Sequence, residues 1–299
     1  MGLLFLGGTM DRKGLWGRLA LLTAALIWGS SFIVMKSAVD FVPTFLLLAI
    51  RFSVGTGLLA VIFCRRLTRI TRKTLWRGAI VGALLFTAYT VQTWGLKGTT
   101  PGKNAFLTAV YCVLTPFVNW VLIRRRPGKW NWIAAVGCLA GIGLVSLDGD
   151  LTMGQGDALT LLGGVFYALH LVAVSRFGEE EDPVLLTLVQ FAAAAACCWI
   201  GTWATETIPT GWTPAAWAEL MYLAVFATTA ALLLQNVGQS MTPAAPAAIL
   251  LSLESVFGVL FSVLFYGETV TLRLALGFGL IFLAVVASET QFAFLRRKK

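Results

Sequence analysis

Three ionisable side chains stand where such groups are costly. Arg51, His170 and Glu254 each fall well inside a long apolar stretch. A charge at the centre of a bilayer costs about 2.5–3.5 kcal/mol on insertion scales, so these residues usually face a cavity or a partner. Glu254 can bind a cationic group or carry a proton, or it can be a structural partner for Arg51 or a helix carbonyl. Arg51 offers a planar fork that matches a carboxylate, or it braces Glu254 or the carbonyl end of another helix. His170 is the single histidine. It either hydrogen-bonds within the packing or joins a site together with Tyr167, one turn earlier on the same helix face.

Uncharged polar residues reinforce these three. Asn104, Thr108, Tyr111, Thr115 and Asn119 follow one another in steps of four, three, four and four, which places them on one stripe of a helix. The stripe lines a pathway or bonds a neighbouring helix. Interhelical polar bonds in membranes average only about 0.6 kcal/mol, so packing alone gains little from so many. Tyr89, Gln92 and Thr93 add to it, as do Tyr222, Thr229 and Asn236 at seven-residue steps. Trp28 and Tyr167 serve as aromatic walls or as packing. The candidate binding set is therefore Arg51, Glu254, His170, Trp28, Tyr89, Gln92, Thr108, Tyr111, Thr115, Tyr167 and Gln190. No catalytic or metal-binding set emerges, and no cofactor is called for. Cys64, Cys112, Cys138, Cys197 and Cys198 lack zinc-finger or CxxC spacing and read as small buried apolar residues.

Apolar helices must hold these residues. Of the 299 residues, 58% are hydrophobic and 12% charged; a soluble domain carries roughly 25% charged residues. Ten runs are long and apolar enough to span a bilayer: Leu19–Met35, Thr44–Phe63, Trp76–Leu96, Ala105–Ile123, Trp132–Leu147, Ala158–Val174, Val184–Trp203, Ala215–Leu234, Ala245–Tyr266 and Leu272–Ser288. No alternating barrel pattern appears, and lipid tolerates no open sheet edge. The net charge of +9 sits in short clusters between spans, which points to a bilayer partner and excludes nucleic acid.

The clusters also orient the chain. With the N-terminus inside, 18 Lys and Arg fall in inner segments and four (Lys36, Lys97, Lys103, Arg273) in outer ones. Positive residues accumulate on the cytoplasmic side, so both termini are expected in the cytoplasm of a multi-pass inner-membrane protein. Trp16, Trp76, Trp120, Trp130 and Trp132 form one expected interfacial belt; Trp94, Trp199, Trp203, Trp212 and Trp217 form the other.

The chain is written twice. A shift of 139 lays Phe45–Phe52 over Val184–Phe191, Arg51 over Gln190 and Trp28 over Tyr167; a shift of 142 lays Thr100-Pro101 over Thr242-Pro243 and Gly137 over Gly279. Five spans per half is odd, so the second half enters the membrane upside down, an arrangement that transporters use around a midplane site. The expected layout is a cytoplasmic segment at 1–18, five-helix repeats at 19–147 and 158–288, and a basic tail at 289–299. The Gly78/Gly82 and Gly137/Gly141 pairs are expected to let helices approach closely. Pro116 is expected to bend the fourth span and free a carbonyl.

The run Pro246 to Gly258, then Gly267-Glu268-Thr269-Val270 and Gly277, resembles the second-half signature of the EamA-type drug/metabolite transporters. Trp28-Gly29-Ser30-Ser31-Phe32 resembles that family's opening motif, and Pro116 its fourth-helix proline. Two positions depart from the pattern. Ser255 stands where a proline usually follows the glutamate, and Arg125-Arg126 stand where the first half usually has Gly-Glu. The resemblance implies ten helices in inverted five-helix repeats around a central cavity, and transport of small organic metabolites, often outward.

No Walker motif is present, since Lys97 stands where the first glycine is required before Gly102-Lys103. Uphill transport would then draw on an ion gradient, with protons through Glu254 as the candidate coupling ion. The expected function is a secondary transporter, an exporter of small metabolites such as amino acids, working by alternating access. A channel or a receptor-like scaffold is the alternative. A membrane enzyme has too few reactive groups here.

Overall fold

The computed structural model describes residues 12–124, 126–147, 152–178, 180–242 and 244–291. The first eleven residues, Arg125, and the end of the basic tail lie outside that set. Among the described residues ten helices are long and apolar enough to cross a bilayer: α1 (Arg12–Phe41), α2 (Thr44–Ile62), α3 (Arg72–Lys97), α4 (Pro101–Leu122), α5 (Lys129–Ser146), α6 (Gln155–Gly178), α7 (Pro183–Thr205), α8 (Pro214–Gln239), α9 (Ala244–Phe261, prolonged by Ser262–Tyr266) and α10 (Leu272–Thr290). The chain is a multi-pass all-α membrane protein. Several helices run past the apolar windows, because polar flanks such as Arg72 and Lys129 continue the helical backbone beyond the hydrocarbon.

Local chemistry sets the starts. Thr71, Thr100, Thr213 and Thr271 each accept a backbone N–H three residues on, and Asp182 accepts from Val184. Such caps satisfy donors that a helix N-terminus leaves free. Pro43 precedes α2 without a side-chain cap. There Glu206, at the end of α7, accepts from the Phe45 and Leu46 amides at 2.8 Å each.

Three spans depart from regular α-helix. α4 is interrupted at Ala109. Within it Pro116 has no N–H, which orphans the Cys112 carbonyl one turn back; the Ser288 hydroxyl of α10 donates to that carbonyl at 3.2 Å. In α8 the segment Tyr222–Ala230 is a π-helix. The Thr228 and Thr229 hydroxyls donate to carbonyls five residues back, at 2.8 and 3.1 Å. α9 ends in a second π-turn, closed by left-handed Gly267 at φ 74°.

The two halves are interlaced. The most extensive packing joins α3 to α6 and α7, α1 to α8 and α9, α2 to α7, and α5 to α10. Each pairing crosses from one repeat to the other. One apolar core combines α1, α2, α3, α7 and α8 around Leu47, Phe52, Leu188 and Leu223. The second combines α4, α5 and α10 around Leu107, Cys138 and Ile281. The two apolar cores each draw on helices of both halves.

Close approach makes this possible. A β-carbon on Gly156 of α6 would lie 2.3 Å from the Gly98 carbonyl carbon, a separation that only bare backbone permits. Gly78 and Gly82 seat Val189 and Gln190 in the same way, and Gly141 seats Ile281; Gly137 has room to spare, with Ala284 at 3.9 Å. One expectation is corrected. Cys64 is exposed rather than buried, because the chain turns out of α2 there. Trp199 and Trp212 pack partly against the first core, and Trp199 Nε1 donates to the Ser53 hydroxyl at 3.0 Å.

An ionic knot closes one face. Lys73 and Arg77 of α3 pair with Glu180 at 2.6 and 2.7 Å, Arg77 with Glu181 at 2.9 Å, and Arg66 with Asp182 at 3.2 Å. The hydrogen bond from Lys73, then that from Arg77, holds the exposed Glu180 carboxyl down to about 2. A depressed carboxyl contributes above the ordinary carboxylate range and is lost only as pH falls through its folded value. The difference in melting temperature between wild type and Glu180→Gln in detergent is therefore expected to be the same at pH 8 and pH 5. It should shrink below about pH 3 and with added salt; a difference that fades already at pH 5 would refute the pairing.

Candidate functional site

A cavity of about 200 Å³ opens between the two cores. α1 supplies Trp28 and Met35, α2 Arg51, α3 Tyr89 and Gln92, and α4 Asn104, Thr108 and Tyr111; α6 supplies Tyr167 and His170, α7 Gln190, α8 Thr228 and Gln235, and α9 Glu254. Of the eleven candidate binding residues all meet here except Thr115; of the other polar residues singled out, Thr93 and Asn104 line the cavity, and Asn119, Tyr222 and Thr229 do not. The Thr115 hydroxyl donates to the Tyr111 carbonyl one turn earlier, at 2.8 Å, and does not reach the wall. The side chain of Asn236 lies outside the described residues.

Arg51 is 3% exposed. Its Nε donates to Thr228 Oγ1 at 3.1 Å, its Nη1 contacts Met35 Sδ at 3.8 Å, and its guanidinium stands 5.3 Å from the centre of the Tyr89 ring. These contacts are a hydroxyl, a thioether and a π-face. Among the described residues Arg51 forms no ion pair, so of its two readings the brace to Glu254 is absent. The Thr228 hydroxyl reaches Arg51 from the π-segment of α8; such segments occur mostly as single turns, frequently at functional sites.

Aromatic rings join Arg51 to Glu254. Tyr89 meets Tyr167 at 5.4 Å between centroids, and Tyr167 meets Tyr111 at 5.9 Å. Tyr111 in turn stands beside the half-buried Glu254 carboxyl. The rings are held in place by a relay of hydrogen bonds. Tyr167 Oη donates to Gln92 Oε1 at 2.8 Å, and Gln92 Nε2 donates to Thr108 Oγ1 at 2.9 Å. Both partners are hydroxyls, which donate or accept equally well, so the relay ties Gln92 to Tyr167 and Thr108 whichever way its amide faces. Trp28 Nε1 donates to the Ala227 carbonyl inside the π-segment at 2.8 Å. His170 Nε2 and Gln190 Oε1 lie 2.9 Å apart, so the lone histidine is satisfied within the wall.

The sequence reading missed several wall residues. Thr228 was legible in principle, because the 139-residue shift lays it under Tyr89, and the two flank Arg51 together. Gln235 lies in the same way under Leu96. Asn104 was noted only as part of the stripe; its Nδ2 donates to Thr160 at 2.8 Å, while its buried Oδ1 accepts no bond among the described residues. The cavity therefore offers a guanidinium with no ion pair among the described residues, a carboxyl group, a spare amide oxygen and three phenols in edge-on and tilted contact. That set suits a small molecule with charged and polar ends and has no obvious bond-making chemistry.

Comparison with known proteins places the chain in a family. Residues 15–147 and 154–289 both match the family described as the EamA-like transporter family. The chain is 33% identical over 281 residues to an uncharacterized transporter of Archaeoglobus fulgidus, across 94% of this chain and 88% of that protein. It is 25% identical over 282 residues to the uncharacterized transporter YvbV of Bacillus subtilis, across 92% of each. A solved structure titled only as the crystal structure of a protein shares the fold, with a TM-score of 0.65 at 21% identity, over 93% of this chain and 98% of that one.

Proposed function

Because the chain belongs to the EamA-like transporter family, we propose that it is a secondary transporter exporting small organic metabolites, amino acids among them, from the cytoplasm across the inner membrane. The repeats at 19–147 and 158–288 alternate access to the cavity, flanked by the segment 1–18 and the basic tail 289–299. The face carrying Arg65, Arg66, Arg69, Arg72, Lys73 and Arg77 is cytoplasmic, as are both termini, on the charge asymmetry of the loops.

One observation carries the substrate class. Arg51 and Glu254 line a single cavity without pairing with each other. Buried charges of opposite sign that stay apart leave each available to the complementary end of a zwitterion. The binding residues are Arg51, Glu254, His170, Trp28, Tyr89, Gln92, Thr108, Tyr111, Tyr167 and Gln190. Protons moving through Glu254 supply the coupling.

Counterflow tests this reading. Proteoliposomes preloaded with each of the common amino acids are expected to accumulate the labelled form transiently above equilibrium for at least one of them. Saturable counterflow with none of the amino acids would remove that class, and rapid non-saturating flux would favour a channel.

A further inference from the structure

The segment between α2 and α3 is built to lie along a membrane surface. Cys64–Arg69 is a short 3₁₀-helix, in which side chains three residues apart stand one above the other. Leu67, and Ile70 just beyond the helix, pack against the first core. The other two columns are polar. Arg65 and Thr68 form one, Arg66 and Arg69 the other, and all four residues are exposed. Arg72 and Lys73, exposed as well, open α3. The apolar column thus pins the segment down and leaves its arginines in solvent. Large apolar side chains flank this basic strip on both sides. Val61 and Ile62 end α2, and Leu75 and Trp76 follow Arg72 in α3; Val61 is 74% and Trp76 71% exposed. α2 and α3 both pack on α7 and little on each other. A β-carbon on Gly57, one turn before Val61, would meet nothing within 4 Å. An open apolar flank therefore adjoins the cations.

The ionic knot spends only part of the charge on this face. Arg66 is tied to Asp182 and lies 5.4 Å from the centre of the Phe63 ring, while Lys73 and Arg77 are tied to Glu180 and Glu181. Six cations, Arg65, Arg66, Arg69, Arg72, Lys73 and Arg77, face the four acids Glu179 to Asp182. At least two positive charges are left over even with Glu179, which lies outside the described residues, counted as paired. The rest of that side does not make up the balance. The inner segments hold 18 Lys and Arg against six acids, namely Asp11, Glu179, Glu180, Glu181, Asp182 and Glu289. Arg65, Arg69 and Arg72 take part in none of the ion pairs among the described residues.

We infer that this strip binds an anionic phospholipid of the cytoplasmic leaflet, with Arg65, Arg69 and Arg72 on the phosphate diester and Val61, Ile62, Leu75 and Trp76 along the acyl chains. The inference rests on the orientation proposed above and is independent of what the cavity carries. A guanidinium fork matches two phosphate oxygens at once. A zwitterionic lipid brings its own ammonium, which competes for the same phosphate. A soluble phosphate has no chains to cover the apolar flank. Each cation close to an anionic membrane surface is worth about fivefold in affinity. The bound headgroup also screens the surplus cations from one another, so it steadies the turn between α2 and α3.

The melting temperature of the purified protein in detergent reports the binding. Short-chain phosphatidylglycerol is expected to raise it saturably, and phosphatidylcholine of the same chain length is not. Arg65→Gln, Arg69→Gln and Arg72→Gln together should move the midpoint of that titration up by roughly 100-fold. Arg69→Gln alone should move it about fivefold, and serves if the triple variant fails to fold. Removing as many charges from the tail, with Arg296→Gln, Arg297→Gln and Lys298→Gln, should leave the midpoint in place. An equal loss in the tail variant, or an equal response to phosphatidylcholine, overturns the site. Glycerophosphoglycerol, the same headgroup without chains, should act no more strongly than salt of equal ionic strength. If it matches phosphatidylglycerol, the strip holds a soluble phosphate ester and the lipid assignment falls. The exposed Cys64 reports the side. In a chain whose other four cysteines are alanine, a membrane-impermeant maleimide is expected to label it in inside-out vesicles and not in right-side-out ones. The reverse pattern with the lipid titration intact overturns the cytoplasmic leaflet and the orientation together, and leaves the counterflow result standing.

Discussion

Replacing Arg51 with alanine is expected to weaken binding of carboxylate-bearing substrates about 10- to 150-fold, the factor that corresponds to roughly 1.5–3 kcal/mol for hydrogen bonds to a charged group. The effect should be selective. An amine analogue lacking the carboxylate should bind the variant and the wild type alike, because only the guanidinium end of the cavity has changed. Lysine at the same position should restore little, since an ammonium lacks the planar fork and cannot keep both the Thr228 hydrogen bond and the place over Tyr89. Titration of purified protein with matched acid and amine pairs measures this. An equal loss for both members of a pair would show that Arg51 shapes the wall rather than clamping an anion.

The second large effect is expected at Glu254. With glutamine there, a pH gradient should no longer drive accumulation: the concentration ratio across proteoliposome membranes should collapse from its wild-type value to about one. Exchange of labelled for unlabelled substrate, which needs no net proton movement, should continue. The amide keeps the shape of the side chain beside Tyr111 but cannot take up or release a proton in this range. Accumulation that responds to the pH gradient as strongly as in wild type would exclude Glu254 as the coupling group, and loss of exchange as well would show that the substrate is not held without its charge, leaving binding as its one demonstrated role.

The ten spans and the principal site residues were legible because lipid enforces simple rules. A run such as Val184–Trp203 has few ways to satisfy its backbone other than a membrane helix, and Arg51, His170 and Glu254 stand out against an apolar background where an ion is costly. The less legible features depend on neighbours remote in sequence. Nothing in Tyr222–Ala230 spells a π-helix; the widened turn is accompanied by Thr228 and Thr229 bonding back along the helix and by Trp28 donating to Ala227 from α1. Thr115 shares a stripe with Tyr111, but its hydroxyl donates to the Tyr111 carbonyl of its own helix instead of reaching the cavity. The missing Arg51–Glu254 pair was equally hidden. Helical spacing places each residue at depth without saying how far apart they end up across a cavity, and here three tyrosine rings lie between them.

The interlaced packing has a consequence for biogenesis. α1 rests on α8 and α9, and α3 on α6 and α7, so the ribosome delivers the early spans well before their permanent neighbours exist. Until the late spans arrive, the nascent chain keeps Arg51 and the polar side of α4 in lipid without their final surroundings, and the insertion machinery or its chaperones must shelter them. A stop codon anywhere in the second half would leave no autonomous remnant, only a half-dressed set of helices recognisable to membrane proteases.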